Sequence, residues 1–443
     1  MSKHLARVGR VDLIKEIPGA DLIQTAVVFG FETIVSKAVR IGDIGIFFEA
    51  GDTQLSDDFC KNNNLYRHNE LNADNTKKGY VEDNRKLKVQ RFLKVKSEGL
   101  FMSMDCLAFT GADISNLKFG DAFDEINGIK ICNKFINLRT ARLALANQKR
   151  KKGIHTPLFH QHVDTEQLAY FINTIPKGAL ITIAHKWHGT SHRVTHTEVL
   201  RRQLKRQEKS FLYRNKLLKQ VTHAEVVKSE YEYVAGSRRV VLLDEHSEKE
   251  GFHGSEKWRF DILEQFKPYL EKNMTIYMEV VGYVNNSPIM GEHDISKLKD
   301  PKYIEKYGKK IVYKYGCREG EYKIKIYRIS FTNPDGIEMD MSHAQLEDWC
   351  KKRNFLYAES MVPPFIYDGN GDALMEMVKK IAENEENLCA DYYDPSHINE
   401  GVVVRVDSWR LVPEFFKYKT FPFRLLENII KLNDDFVDME DAS

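Results

Sequence analysis

Leu180-Ile181-Thr182-Ile183-Ala184, followed after His185 by Lys186-Trp187-His188-Gly189-Thr190-Ser191, is the stretch on which the reading of this chain turns. The run of apolar and β-branched residues reads as a buried strand. It delivers an amine, Lys186, to the end of a rigid element beside a glycine turn. A lysine held there can act as a nucleophile once cations around it favour the neutral amine, because free lysine has a pKa of about 10.4 and is protonated at neutral pH.

Working outward, other short segments have matching polarity. In Tyr277-Met278-Glu279-Val280, strand alternation turns Glu279 away from Met278 and Val280. In Lys323-Ile324-Lys325-Ile326-Tyr327-Arg328-Ile329, Tyr327 shares a face with Lys323 and Lys325, so its ring is expected to line a polar cleft where it could stack on a purine. Glu400 stands just before Gly401-Val402-Val403-Val404, and a carboxylate at a strand edge suits a hard divalent cation. Lys417 and Lys419 fall on one face while Phe416 and Tyr418 face the other way. Ser237-Arg238-Arg239, ahead of Val240-Val241-Leu242-Leu243, offers a guanidinium suited to a phosphate or ribose.

A chain of 443 residues is expected to form two or three domains, and its 42% hydrophobic and 29% charged residues are those of a soluble globular protein. No apolar run approaches the roughly 18 residues needed to span a bilayer, and Met1 to Arg7 lacks the apolar stretch of a signal peptide. No membrane partner, a cytoplasmic location and a monomer are the expectations. Cys60, Cys106, Cys132, Cys317, Cys350 and Cys389 contain no Cys-x-x-Cys pair and read as reduced, mostly buried thiols. The net charge of +2 is uninformative, but Arg201 to Gln220 holds eight Lys/Arg and one acidic residue, while Asp434 to Ser443 is acidic. The first block would suit a polyanion or a solvated face.

From Leu5 to about Phe123, short β-rich runs with glycine punctuation suggest a small barrel of OB type, interrupted between Gly51 and Arg85 by a polar, Asn-rich stretch read as a mobile insertion. Residues 1–130 are assigned to this barrel, 131–155 to a basic connector and 156–443 to a second domain. In the latter, Ser255 to Leu270 and Ser342 to Asn354 have helical spacing, while Thr275 to Val281, Tyr322 to Phe331 and Val402 to Val406 read as strands. The fold class expected is α+β, with a mostly antiparallel sheet in the second domain.

The chain has no Gly-x-x-x-x-Gly-Lys-Ser/Thr, so any ATP phosphates are not cradled by a P-loop. The alternative is covalent nucleotidyl transfer, in which a lysine attacks the α-phosphorus, pyrophosphate leaves and AMP waits as a phosphoramidate. Lys-x-His-Gly-Thr at 186–190, with the segments above in the same order, resembles the covalent nucleotidyltransferase superfamily and most closely ATP-dependent RNA ligases with an N-terminal OB domain.

That resemblance implies an ATP-grasp-like ligase adenylation domain and the joining of RNA 3′-OH to 5′-phosphate ends. Lys186 would take the AMP. His188 and Gly189 belong to the same nucleotide-binding motif, Arg238 or Arg239 is the motif arginine, Glu279 binds ribose and Tyr327 stacks on adenine. Glu400 is metal-associated, for Mg2+ or Mn2+, and Lys417 and Lys419 are the final lysine pair, acting in catalysis and on the nucleotide. RNA is the implied partner, held in part by the 201–220 block. An mRNA-capping guanylyltransferase uses the same covalent chemistry with GTP, and an inactive RNA-binding relative would keep the fold. Comparison of labelled ATP with labelled GTP separates the first, and loss of Lys186, Glu400, Lys417 or Lys419 would mark the second.

Two other patterns read more simply. His185, His188 and His192 lack the helical spacing of a zinc cluster. Asp368-Gly369-Asn370-Gly371-Asp372 begins like a calcium loop but has Ala373 and Lys379 where Gly and Glu are needed, so a polar turn is expected.

Overall fold

Two antiparallel-rich sheets, each backed by helices, make the larger part of the computed structural model, which describes residues 5–51, 53–92, 95–136, 154–206, 222–243, 250–251, 253–298, 300–383 and 394–431. In the larger sheet the order is Val241–Leu242, Thr222–Gly236, Thr190–Arg206, Met274–Val284, Tyr322–Thr332 and Glu338–Asp340, with all these neighbours antiparallel. The second runs Glu166–Gln167, Glu414–Lys419, Gly401–Asp407, Leu180–His185 and Phe365–Ile366, antiparallel except for its first pair.

Alternation along the strands sorts the residues. Val194, Ile276, Met278, Val280, Ile326 and Ile329 pack against the helices Lys257–Phe266 and His343–Lys351 through Trp258, Ile262, Leu263, Phe266 and Leu346. Ser342 starts the second of these helices with a capping box to Gln345. Behind the second sheet, Ile181, Ile183, Val402, Val404, Val406 and Phe416 bury Leu374, Val378 and Ala382 of the helix Gly371–Glu383. Burying a Phe or Ile side chain stabilises by about 1.5–3 kcal/mol, whereas exposed pairs such as Lys352–Asp348 contribute about 0–1 kcal/mol. The helix-covered backs therefore hold the sheets, and their other faces are left to the polar side chains.

The N-terminal region has a four-stranded sheet, ordered Ala122–Phe123, Ala6–Arg10, Ile44–Glu49 and Gly99–Ser103, beside a meander of Leu13–Lys15, Ile23–Val28 and Phe31–Ser36. Among the described residues these ladders do not join into one closed sheet. Cys132–Lys134 pairs with Thr53–Leu55, so N-terminal structure extends to Lys134. The 51–85 stretch differs from the expectation of a mobile insertion: it contains the helix Asp57–Asn62 and puts Phe59, Cys60, Leu65, Tyr66 and Val81 into the core. Its polar surface hid those apolar anchors, which are too widely spaced to show a period.

Specific contacts join this region to the sheets. Tyr170 Oη donates to Glu49 Oε2 at 2.6 Å, under the Arg7 guanidinium 4.1 Å from its ring. Arg424 grips Glu98 with two bonds of 2.8 and 3.1 Å, tying the final helix Phe421–Lys431 to the N-terminal region. The connector 137–153 and the acidic end of the chain lie outside the described residues, as does Cys389; the other five cysteines are buried. No helix among the described residues is long and apolar enough to cross a membrane. The Asp368–Asp372 stretch leads into a helix, with Asn370 Oδ1 accepting from the Ala373 N–H at 3.1 Å.

Arg328 pins the edge strand. It is 0% exposed and bonds Asp340 and Glu338, each at 2.7 Å. Removing one partner of such a network strands the others in a low dielectric. Arg328→Met is expected to cost about 3–5 kcal/mol, read as a lower urea midpoint; a midpoint equal to wild type would refute this role.

Candidate active site

Three strand ends meet at one end of the second sheet. Leu180–His185 runs out into Lys186, Glu400 precedes Gly401–Asp407, and Glu414–Lys419 finishes on Lys419, with His185 opposite Val402 and Gly401 opposite Lys419. Antiparallel pairing therefore brings the three side chains together from far-separated positions. The Lys186 N–H donates to Gly401 O at 2.9 Å. Gly401 has φ +137°, and a Cβ there would stand 2.0 Å from Tyr418 O, so a side chain at 401 would separate the strands that carry Glu400 and Lys419.

Glu400 is the electrostatic centre. Its Oε1 lies 3.1 Å from Lys186 Nζ and 3.8 Å from Lys419 Nζ, and its Oε2 lies 3.5 Å from His188 Nδ1. Burial alone would push this carboxyl up, but Lys186, His188 and Lys419 outweigh it and hold it at about 2. Lys419 is also braced by Glu427 of the final helix at 2.7 Å. Oε2 is buried without a hydrogen bond, which leaves a carboxylate lone pair for a further ligand.

The larger sheet supplies the facing wall. Lys186 to Gly189 crosses from one sheet to the other, and Thr190 then pairs with Val280. Glu279 Oε1 accepts the Gly189 N–H at 3.1 Å, and Tyr315 Oη accepts the His188 N–H at 2.7 Å. A Cβ on Gly189 would come within 2.3 Å of Val280 O, so the crossover needs glycine there. Opposite Glu279 is Lys325, whose Nζ donates to His185 O at 2.5 Å and sits 4.5 Å from the Trp187 ring. Burial pushes Glu279 up to about 7 against the pull of Lys186, and burial pushes Lys325 down to about 7 against the pull of Glu279. The pair is thus poised near neutrality beside Lys186.

Tyr327 lies on this wall too, because of an irregularity: Tyr277 pairs with Arg328 and Met278 with Ile326, leaving Tyr327 as the extra residue of a β-bulge. Its hydroxyl is 3.4 Å from Ser191 Oγ. Its ring meets His162 edge to face at 4.8 Å, and His162 also touches Phe415 at 5.1 Å and Tyr277 at 5.8 Å. The 159–164 segment carrying His162 is held by Arg193, which donates to Phe159 O at 3.1 Å, and by Tyr277, which donates to His160 O at 3.0 Å. Arg238 pairs with Asp164 of the same segment at 2.8 Å, and its charge acts on His162, Glu279 and Tyr327.

Lys417 is half-buried on the strand between Phe415 and Lys419, opposite Val403, while Phe416 and Tyr418 turn to the helix-covered side. Lys186, His188, Gly189, Glu279, Glu400 and Lys419 are therefore joined by direct contacts, Arg238 acts on Glu279 and Tyr327 through its charge, and Lys417 lies two residues along the strand from Lys419. The flanking histidines go elsewhere: His185 Nε2 meets Asn399 Oδ1 at 2.6 Å, and His192 packs behind the sheet on Arg259 at 3.2 Å. His162 and Tyr315 escaped the sequence because they sit in segments without periodic polarity, and Glu427 because it is an ordinary polar position of an amphipathic helix. No cluster of three or more His, Cys, Asp or Glu suited to a metal occurs among the described residues. A cation at Glu400 would need water and substrate oxygens to complete its shell, as Mg2+ commonly does.

No family model and no curated protein matches the chain. Among solved structures it is similar to Naegleria gruberi RNA ligase. A mutant with AMP and Mn has 15% identity and a TM-score of 0.52, the match covering 96% of this chain and 98% of that one. A mutant with ATP and Mn has 14% identity and a TM-score of 0.52, covering 95% and 98%. The ligase with PPi has 16% identity and a TM-score of 0.50, covering 95% and 97%. At these identities the likeness is one of fold, and it extends over nearly the whole of both chains.

Proposed function

We propose that this chain is an ATP-dependent RNA ligase that joins RNA 3′-OH and 5′-phosphate ends through a covalent lysyl-AMP. The observation that carries the proposal is the convergence of Lys186, Glu400 and Lys419 at one sheet end, with Glu279 and Tyr327 on the facing wall. The Naegleria gruberi ligase of similar fold has structures with ATP and Mn, AMP and Mn, and PPi, the reactant and products expected of such a step.

Lys186 Nζ bonds to the α-phosphorus while the bond to the bridging oxygen breaks and pyrophosphate leaves. The RNA 5′-phosphate then attacks the same phosphorus and frees the lysine. In the last step the 3′-OH attacks the RNA phosphate, forming the phosphodiester and releasing AMP. Lys417 and Lys419 neutralise charge growing on the α-phosphate, Tyr327 stacks on adenine, Glu279 accepts from the ribose, and Arg238 holds ribose or phosphate. Glu400 Oε2, which has only His188 Nδ1 nearby at 3.5 Å, is the donor that fits Mg2+ or Mn2+. A divalent cation bound there would add positive charge at the α-phosphate oxygens.

The N-terminal region, which reaches Lys134 where the expected bound was 130, acts as an OB-like module, joined to an adenylyltransferase domain to which Ile154 and His155 already belong through their pairing with Leu200 and Arg201. The module helps hold RNA with the basic 201–220 block, of which only Arg201 to Arg206 lie in the described residues. RNA affinity should then fall steeply between about 50 and 200 mM salt, measured by filter binding; a flat dependence would refute the basic-block contact.

The decisive assay is incubation with α-labelled ATP and Mg2+ or Mn2+. It should give an acid-labile label on the protein with release of pyrophosphate, and sealing of nicked or single-stranded RNA should follow. Labelling by GTP in place of ATP would favour the capping reaction, and no label with either nucleotide would overturn the proposal.

A further inference from the structure

His162 is a neutral ring held in an aromatic cage at the edge of the nucleotide cleft. Tyr327, Phe415 and Tyr277 surround it, and its Nδ1 is buried without a hydrogen-bond partner. At the edge of the cleft, beside the Tyr327 ring, that nitrogen is placed to be paired by a ligand atom. The position is built, since two carbonyls of its segment, at 159 and 160, are pinned by side chains of the cleft wall, Arg193 and Tyr277. The surroundings also fix the ring's state: burial, then Arg328, Arg238 and Lys186, keep it uncharged at neutral pH. The Nδ1 of a neutral imidazole can make a single hydrogen bond, as donor or as acceptor according to the tautomer, which suits a neutral base edge better than a phosphate.

We infer that His162 reads the hydrogen-bonding edge of the purine at the base subsite and sets the preference for ATP over GTP. The inference rests on the proposed nucleotidyl transfer at Lys186. A base lying against the Tyr327 ring must come within hydrogen-bonding reach of His162 or displace it, because the two rings are already in contact at 4.8 Å. Adenine offers an amino donor and a ring acceptor on that edge, whereas guanine reverses both. A site that hydrogen-bonds one base rejects another whose polar groups leave the site's own unpaired.

The test measures lysyl-nucleotide formation by wild type, His162→Ala, His162→Asn and His162→Gln with ATP, GTP and purine riboside triphosphate, which lacks the 6-amino group. His162→Ala should raise the KM for ATP about tenfold or more, leave kcat within a few-fold, and narrow the ATP-over-GTP preference by a similar factor. His162→Asn or His162→Gln, whose amides place hydrogen-bonding atoms near Nδ1 or Nε2, should restore part of the preference. Equal loss with all three nucleotides in all three variants would make His162 a packing residue and overturn the inference. So would unchanged preference in soluble variants with wild-type melting temperature. Absence of label in wild type defeats the ligase proposal itself, a result distinct from these two.

Discussion

The Lys186→Ala variant is expected to take no label from α-labelled ATP, a loss of at least about 10^4-fold, because the amine is the atom to which AMP becomes attached. Lys186→Arg should fail equally, since a guanidinium stays protonated and does not attack phosphorus. The last step uses Lys186 only as a neighbouring charge, so the alanine variant should still seal RNA whose 5′ end is already adenylylated. Removal also takes the nearest counter-charge, 3.1 Å away, from Glu400 and leaves it with His188 at 3.5 Å and Lys419 at 3.8 Å. A destabilisation of about 1–3 kcal/mol follows, visible as a lower melting temperature. Label on the alanine variant would move the nucleophile elsewhere. Loss of sealing on adenylylated RNA, in a folded variant, would show that the lysine acts in the last step as well.

The larger sheet-forming region was legible because its chemistry sits at strand ends and on alternating faces. Val402 to Val406, Thr275 to Val281 and Tyr322 to Phe331 lie inside observed strands, and Lys417 and Lys419 share a side away from Phe416 and Tyr418. Strict alternation failed at the Tyr327 bulge, which puts both Tyr327 and Arg328 on the cleft side; a bulge leaves no mark in a two-residue period. His162 was invisible for a different reason: its segment belongs to no sheet and is positioned by Arg193 and Tyr277 from far along the chain. The Glu98–Arg424 grip is equally non-local, its two residues lying 326 positions apart in the chain. The N-terminal ladders were legible as short strands, but their grouping into sheets is set by which apolar faces meet, as where Val8, Ile46 and Phe48 share a core with Phe59 and Cys132.

Glu400→Gln is expected to lower the rate of lysyl-AMP formation by about 10^2–10^3-fold at pH 7, because the amide keeps the shape but loses the charge that faces Lys186, His188 and Lys419. The same substitution should change acid stability with a defined sign. Burial opposes ionisation of Glu400, yet Lys186, His188 and Lys419 together outweigh it, and the carboxyl titrates at about 2 when folded against an ordinary value of 4.5. Its favourable contribution is therefore fully present above about pH 4.5 and is lost as pH falls towards 2, the window in which the unfolded chain binds the proton first. Urea unfolding at pH 7 and at pH 3 should show wild type losing more stability between the two than the glutamine variant does. At pH 7 the variant should itself be weaker by about 3–5 kcal/mol, since Lys186 and Lys419 then face each other across a neutral group in a buried site. The ion pair with Glu427 at 2.7 Å restrains Lys419 in both proteins, so the difference reports on Glu400 alone. An identical loss of stability with acid in the two proteins would mean that Glu400 is not ionised in the folded chain, and the charge balance on which nucleophilic attack by Lys186 depends would have to be assigned to other groups.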